Sequence, residues 1–160
     1  MIRNLVENFK VISGTTPVTT NGGVTGDYVS LKNANKAWIV CKLTQAVGHA
    51  TALAPKQATA VAGTGVKVFA NTLKINANED TSASDTLAAQ TAAVNYSVTN
   101  DIKNKIVVFE IDPADLDTAN DFDCITLVAS DSSQATNFID VTYILDMKYK
   151  EDVPPAAITD

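Results

Sequence analysis

The sequence predicts an all-β fold: an antiparallel β-sandwich or jelly-roll-like single domain with an extended N-terminal arm. Three observations carry this reading. Residues 137–150, NFIDVTYILDMKYK, set Ile139, Val141, Tyr143, Leu145, Met147 and Tyr149 against Asp140, Thr142, Asp146 and Lys148. Such period-two alternation marks a half-buried strand, whereas a helix would scatter these apolar residues around its whole circumference. Residues 105–111 (KIVVFEI) and 124–129 (CITLVA) are further apolar runs of strand length, bounded by polar turns. Long amphipathic helical patterns between the strands are missing, which separates this sequence from a parallel α/β fold.

Taken in order, residues 1–10 fit either a strand or one helical turn. Residues 11–26 (VISGTTPVTTNGGVTG) contain no charged residue. Pro17 fixes an extended backbone, and Asn21-Gly22-Gly23 marks a turn. Two readings stand open: an arm that lies on another surface and pairs its backbone there, or an ordinary first strand and hairpin. Residues 27–32 (DYVSLK) alternate. With a turn at Asn33-Ala34-Asn35 and the segment 36–47 (KAWIVCKLTQAV), they read as a hairpin. The continuous run Trp38–Cys41 suits a central strand buried on both faces.

Residues 48–64 are rich in alanine and threonine. Ala58, Ala60 and Ala62 alternate with Thr59 and Val61 as a light strand, while Gly48, Pro55 and Gly63 oppose a helix. Residues 66–70 and 73–75 are short strands, 76–86 a polar loop, and 87–98 a helical turn or another light strand. After the strand 105–111, Pro113 opens a helical turn capped by Asp112. The domain boundaries expected are an arm over 1–26, the sandwich over 27–150, and a flexible C-terminal tail over 151–160 containing Pro154-Pro155.

Composition narrows the function. A chain of 160 residues with 46% hydrophobic and 19% charged residues can build one core without disulfides or metals. A net charge of −6 argues against nucleic acid or an anionic membrane as the main partner. No apolar run reaches the length of about 18 residues expected of a membrane-spanning helix. The N-terminus lacks the apolar core and cleavage site of a signal peptide. Cys41 and Cys124 each sit inside an apolar run and read as buried thiols.

Chemistry-bearing patterns are sparse. His49 is the sole histidine, which leaves no Ser/His/Asp set to argue and no clustered zinc ligands. The segment bearing Asp112, Asp115, Asp117, Asp121 and Asp123 is the best candidate for calcium. It lacks the central glycine and terminal glutamate of an EF-hand loop, so a solvated loop with a helix cap is the simpler reading. Asn78, Glu79, Asp80 and Asp85 form a weaker acidic set. The sequence therefore predicts no catalytic, cofactor-binding or metal-binding residue, and a binding or structural role rather than an enzyme.

The order of segments adds a resemblance. Residues 29–43 (VSLKNANKAWIVCKL), 105–117 (KIVVFEIDPADLD) and 122–145 (FDCITLVASD followed by FIDVTYIL) resemble the capsid decoration, or head-stabilising, proteins of tailed bacteriophages and prophages. The resemblance covers 27–147 and fades over 48–100. It implies a β-sandwich or jelly roll made in the host cytoplasm. It also implies binding to the outside of the assembled capsid, as a homotrimer, with the major capsid protein as partner and with no small-molecule substrate, nucleic acid or membrane. In that picture the arm 1–26 and the tail 151–160 strap neighbouring capsid subunits together. The alternative is a carbohydrate- or surface-binding sandwich module of a phage fibre or adhesin, which would display exposed aromatics in a row.

Overall fold

The computed structural model describes residues 5–149 and 156–159. A single helical turn, Leu5–Asn8, leads into strands β1 (Phe9–Ser13), β2 (Val18–Thr19), β3 (Val24–Thr25), β4 (Val29–Ser30) and β5 (Ala34–Thr44). Strands β6 (Ala52–Ala58), β7 (Lys67–Val68), β8 (Lys74–Asn78), β9 (Ala88–Ala89) and β10 (Tyr96–Ser97) form the middle of the chain. Then come β11 (Asn104–Ile111), two 3₁₀ turns (Pro113–Asp115 and Thr118–Asn120), β12 (Cys124–Ala129) and β13 (Phe138–Met147).

Two antiparallel sheets pack face to face as a single sandwich domain. The larger runs β1-β13-β5-β11-β8-β9, with β2 also on β13. The smaller runs β10-β6-β12-β3, with β4 on β12 and β7 on β6. The alternating residues of 137–150 supply the core as expected: Ile139, Val141, Tyr143, Leu145 and Met147 are buried, while Tyr149 lies beyond the strand and is exposed. They meet Ile39, Cys41 and Leu43 of β5, and Val107, Phe109 and Ile111 of β11. Leu53, Ile125 and Leu127 close the core from the smaller sheet. Each large apolar side chain buried this way contributes about 1.5–3 kcal/mol relative to exposure.

The N-terminal segment is not a free arm. Phe9–Ser13 pairs with β13 from Asp146 to Thr142, Val18–Thr19 continues along β13 at Ile139 and Phe138, and Val24–Thr25 crosses to β12. Much of the backbone of 11–26 is thus paired within the two sheets, so the boundary at residue 26 does not separate an arm from a domain. Nor do 27–32 and 36–47 make a hairpin. Val29–Ser30 pairs with β12 in the smaller sheet, whereas Ala34–Thr44 lies in the larger one, so the turn at Lys32-Asn33 carries the chain between layers.

The alanine-rich stretch is shifted from the expected register. Its strand is Ala52–Ala58, and Ala60 to Gly65 forms a turn. Pro55 sits inside that strand without cost. On one side it faces Leu127, and on the other it falls between the segments paired with β10 and β7. A proline is tolerated where no neighbour needs its N–H. The strand at 73–75 runs on to Asn78, shortening the polar loop. Of the expected flexible tail, residues 151–155 and 160 lie outside the described residues. The rest is docked: Ala157 is buried and its carbonyl accepts the Ser30 N–H at 2.7 Å.

Candidate interaction surface

The outer face of the larger sheet is set by register. Opposite residues of antiparallel strands share a face, so Val11, Ile144, Trp38, Glu110 and Lys74 form one transverse row. The next row is Ser13, Thr142, Val40, Val108 and Asn76, and beyond it lie Asp140, Lys42 and Ile106. Trp38, Val40, Ile106, Val108 and Ile144 remain partly exposed in the middle of the sheet, and Val11 is 50% exposed at its edge. Phe9 packs edge-on against Trp38 at 6.0 Å between ring centroids, and the Lys36 ammonium lies 5.8 Å from the Trp38 ring. The continuous apolar run Trp38–Cys41 therefore buries only one face, through Ile39 and Cys41.

Ion pairs rim this face. Lys36 and Lys74 both reach Glu110, and Lys42 reaches Asp140 at 2.5 Å. The hydrogen bond and charge of Lys36, reinforced by Lys74, hold the Glu110 carboxyl below the usual range against the opposing effect of burial. The three lysines thus reach two carboxylates, and Asp146, opposite Lys36 in the ladder, brings the formal charge of these six side chains to zero.

The sequence-derived candidates for chemistry do not converge. His49 is partly exposed, with Nδ1 2.9 Å from the Ala50 carbonyl. Asp112 caps the 3₁₀ turn by accepting from Ala114 N, and Asp115 returns the bond by accepting from Asp112 N, a reciprocal capping box. Asp117 is paired with Lys67 and accepts from Asn120, while Asp123 pairs with Lys32 at 3.1 Å. Asp121 ends the second 3₁₀ turn in the left-handed region at φ 62°. The acidic loop is thus spent on caps and ion pairs, and among the described residues no three His, Cys, Asp or Glu side chains gather around a metal-sized site. Cys41 and Cys124 are buried thiols without a disulfide, and burial, together with the Asp140 charge, pushes the Cys41 thiol far up.

One charged cluster was only half visible in the sequence: Glu79 and Asp80 stood out as a weak acidic set, but the buried partner of Glu79, Lys105, did not. Lys105 points inward from β11 with a fully buried side chain. Its ammonium donates to the Thr99 carbonyl and hydroxyl, both at 2.6 Å, and meets Glu79 at 2.9 Å. Glu79 also accepts from the Tyr96 hydroxyl at 2.7 Å and from Thr99. Burial alone would raise the Glu79 carboxyl; the Tyr96 bond, the Lys105 bond and charge, and the Thr99 bond outweigh it and hold it low. Next to it, hydrogen bonds from Ser82 and Lys103 draw Asp80 down to about 2. The clue in the sequence was phase: Lys105 falls in step with Val107, Phe109 and Ile111.

These carboxyls make stability depend on acid in a defined direction. Glu79, Asp80, Glu110, Asp117 and Asp131 all titrate lower folded than unfolded. Their stabilisation is complete above the unfolded carboxyl values near pH 4 and is lost as pH falls through the lower folded ones. The midpoint of thermal unfolding should hold between pH 7 and 5 and fall steeply between about pH 4 and 2. A flat melting temperature down to pH 2 by circular dichroism would contradict this.

The chain is an all-β, two-sheet antiparallel sandwich whose larger sheet presents a mixed apolar and polar outer face. No protein-family model matches the chain, and no curated protein matches it. Among solved structures, the chain is similar to the SPBc2 prophage-derived protein YomS, with a TM-score of 0.50 and 9% sequence identity, over 86% of this chain and 92% of that one. At that identity the likeness establishes a shared fold.

Proposed function

We propose that this chain is a structural phage protein that binds the outer surface of an assembled capsid and stabilises it by bridging capsid subunits. The single observation that supports this most is the two-sheet sandwich, which matches a prophage-derived protein along almost the whole length of both chains. The resemblance of 29–43, 105–117 and 122–145 to capsid decoration proteins points the same way. The role is binding rather than catalysis. It requires broad protein contact, and the outer face of the larger sheet, where Trp38, Val40, Ile106, Val108 and Ile144 are partly exposed among polar side chains, offers that. In this reading three copies act together with the major capsid protein as partner, on the virion exterior. Bridging does not use residues 9–25 as a strap, because their backbone is committed to the sheets.

The test is co-sedimentation of the purified full chain with expanded empty capsids of the phage that encodes it. Saturable pelleting, with capsids made more resistant to heat or denaturant, is the expected result. A chain left entirely in the supernatant across the titration would refute the reading.

A further inference from the structure

We propose that the Asn21-Gly22 peptide is a site of spontaneous covalent modification, deamidation of Asn21, held latent by the carboxylate of Asp131. The modification is independent of the binding role proposed above. Asn21 is the only asparagine of the chain followed by glycine. Glycine matters here because it has no Cβ to hinder close approach to its own backbone nitrogen. Both residues are exposed, and a Cβ at Gly22 would meet nothing within 4 Å. Among the described residues the Asn21 carboxamide has no hydrogen-bond partner that would shield its carbon.

The reaction needs only water. The Gly22 nitrogen gives up its proton to solvent and attacks Cγ of Asn21. A new C–N bond closes a five-membered succinimide, and the Cγ–Nδ2 bond breaks to release ammonia. Water then opens the ring. Cleavage at Cγ leaves aspartate at residue 21. Cleavage at the main-chain carbonyl leaves isoaspartate, whose backbone runs through the side-chain carbons and is one methylene longer. Because the turn joins β2 of the larger sheet to β3 of the smaller, isoaspartate formed there lengthens a link between the two sheets.

The folded turn opposes ring closure. Gly23 N donates to the Thr20 carbonyl at 3.1 Å. Asn21 has a negative φ and Gly22 a φ of 85°, the pattern of a type II turn. Such a turn sets ψ of its first central residue at about +120°. Closure needs the Gly22 nitrogen aligned with the Asn21 Cα–Cβ bond, about a third of a turn away from that ψ. The turn must therefore open before the ring can form, and Asp131 resists the opening. Its Oδ1 accepts from Gly22 N and from Ser133 N, both at 2.6 Å. Those two bonds hold the Asp131 carboxyl below the usual range, so it stays ionised and the bond to Gly22 is charge-assisted. Thr20 anchors the other end of the turn: it is buried, its N–H bonds the Asn137 carbonyl, and its hydroxyl donates to Ser132 Oγ at 2.7 Å.

The experiment incubates the full chain at mildly alkaline pH, folded and in guanidinium chloride, and follows each asparagine by peptide mapping with mass spectrometry. The expected result is conversion at Asn21 ahead of every other asparagine, slow in the folded chain and much faster in the unfolded one. Folded Asp131→Ala should convert about tenfold faster than the parent or more, the effect on the opening equilibrium of losing one hydrogen bond to a charged group. Hydrogen exchange of the Gly22 amide gives a second measurement on the unaltered protein. Exchange and deamidation both pass through the open turn, so the ratio of unfolded to folded conversion rates should match the exchange protection of Gly22. An Asp131→Ala chain that folds and converts at the parental rate overturns the lock, as does a folded parent that converts as fast as the unfolded chain. If Asp131→Ala does not fold, the comparison with exchange decides, and a mismatch overturns the proposal. An Asn21 that stays intact in guanidinium chloride while other asparagines convert overturns the site itself.

Discussion

Replacing Lys105 with methionine is expected to lower stability by about 2–4 kcal/mol, which is large for one residue of a domain this size. All three ammonium hydrogens have acceptors: Glu79, the Thr99 carbonyl and the Thr99 hydroxyl. Methionine fills similar volume but supplies none of these bonds. It leaves the Glu79 carboxylate without a counter-charge between the sheets. Removing one partner of a buried pair commonly costs about 3–5 kcal/mol. Glu79 keeps 26% exposure, so water recovers part of that loss. The double change Lys105→Met/Glu79→Leu should restore much of the stability, because it removes the stranded charge as well. Lys42→Ala, at an ion pair whose lysine is 54% exposed, should cost less than about 1 kcal/mol. Urea unfolding of these three variants beside the parent gives the comparison. Lys105→Met within about 0.5 kcal/mol of the parent, an ordinary surface-substitution effect, would mean the cluster contributes nothing to the fold.

The same residue marks the limit of what the sequence reveals. Strands β11, β12 and β13 are legible because each carries its own signal, an apolar run or an alternation long enough to beat local noise. Cys124–Ala129 falls at its expected bounds, and the Asp112 cap with Pro113 follows from local chemistry alone. Val18–Thr19 and Val24–Thr25 carry no such signal. Their pairing is decided by partners more than a hundred residues away, and two-residue strands have no periodicity to read. Val29–Ser30 and Ala34–Thr44 look like a hairpin because the turn between them is polar, yet the turn joins two layers rather than two neighbours. The candidate surface was half visible. Trp38–Cys41 stood out as continuously apolar, but composition cannot tell a face covered by its own chain from one left partly open. Lys105 was hidden by its own chemistry, since lysine is seldom buried and only its place in the alternation gives it away.

Gly14→Ala is expected to cost about 1–3 kcal/mol, although the added group is a single methyl. A Cβ at residue 14 would stand 2.5 Å from Cε2 and 2.9 Å from Cζ of Tyr143, and 3.1 Å from Val141 Cγ1. A ring edge can often swing away from such a contact. This one is held: the Tyr143 hydroxyl donates to the Asp27 carbonyl at 2.9 Å and accepts from Leu127 N at 3.2 Å. Those bonds answer a need of the smaller sheet. Gly26 N bonds the Leu127 carbonyl, but the chain then departs between β3 and β4, and the Leu127 N–H finds Tyr143 instead of a strand. A core side chain of one sheet thus completes the backbone ladder of the other, and Gly14 and Gly26 leave the room it needs. Tyr143→Phe should cost about 1–3 kcal/mol by leaving a buried N–H without an acceptor. Coupling distinguishes this account from a simple loss of packing. In a Tyr143→Leu background the cost of Gly14→Ala should fall below about 0.5 kcal/mol, because the ring it collides with is gone. Equal costs of Gly14→Ala in both backgrounds, measured by urea denaturation, would show that the clash lies elsewhere and that Tyr143 is not the fixed post between the two sheets.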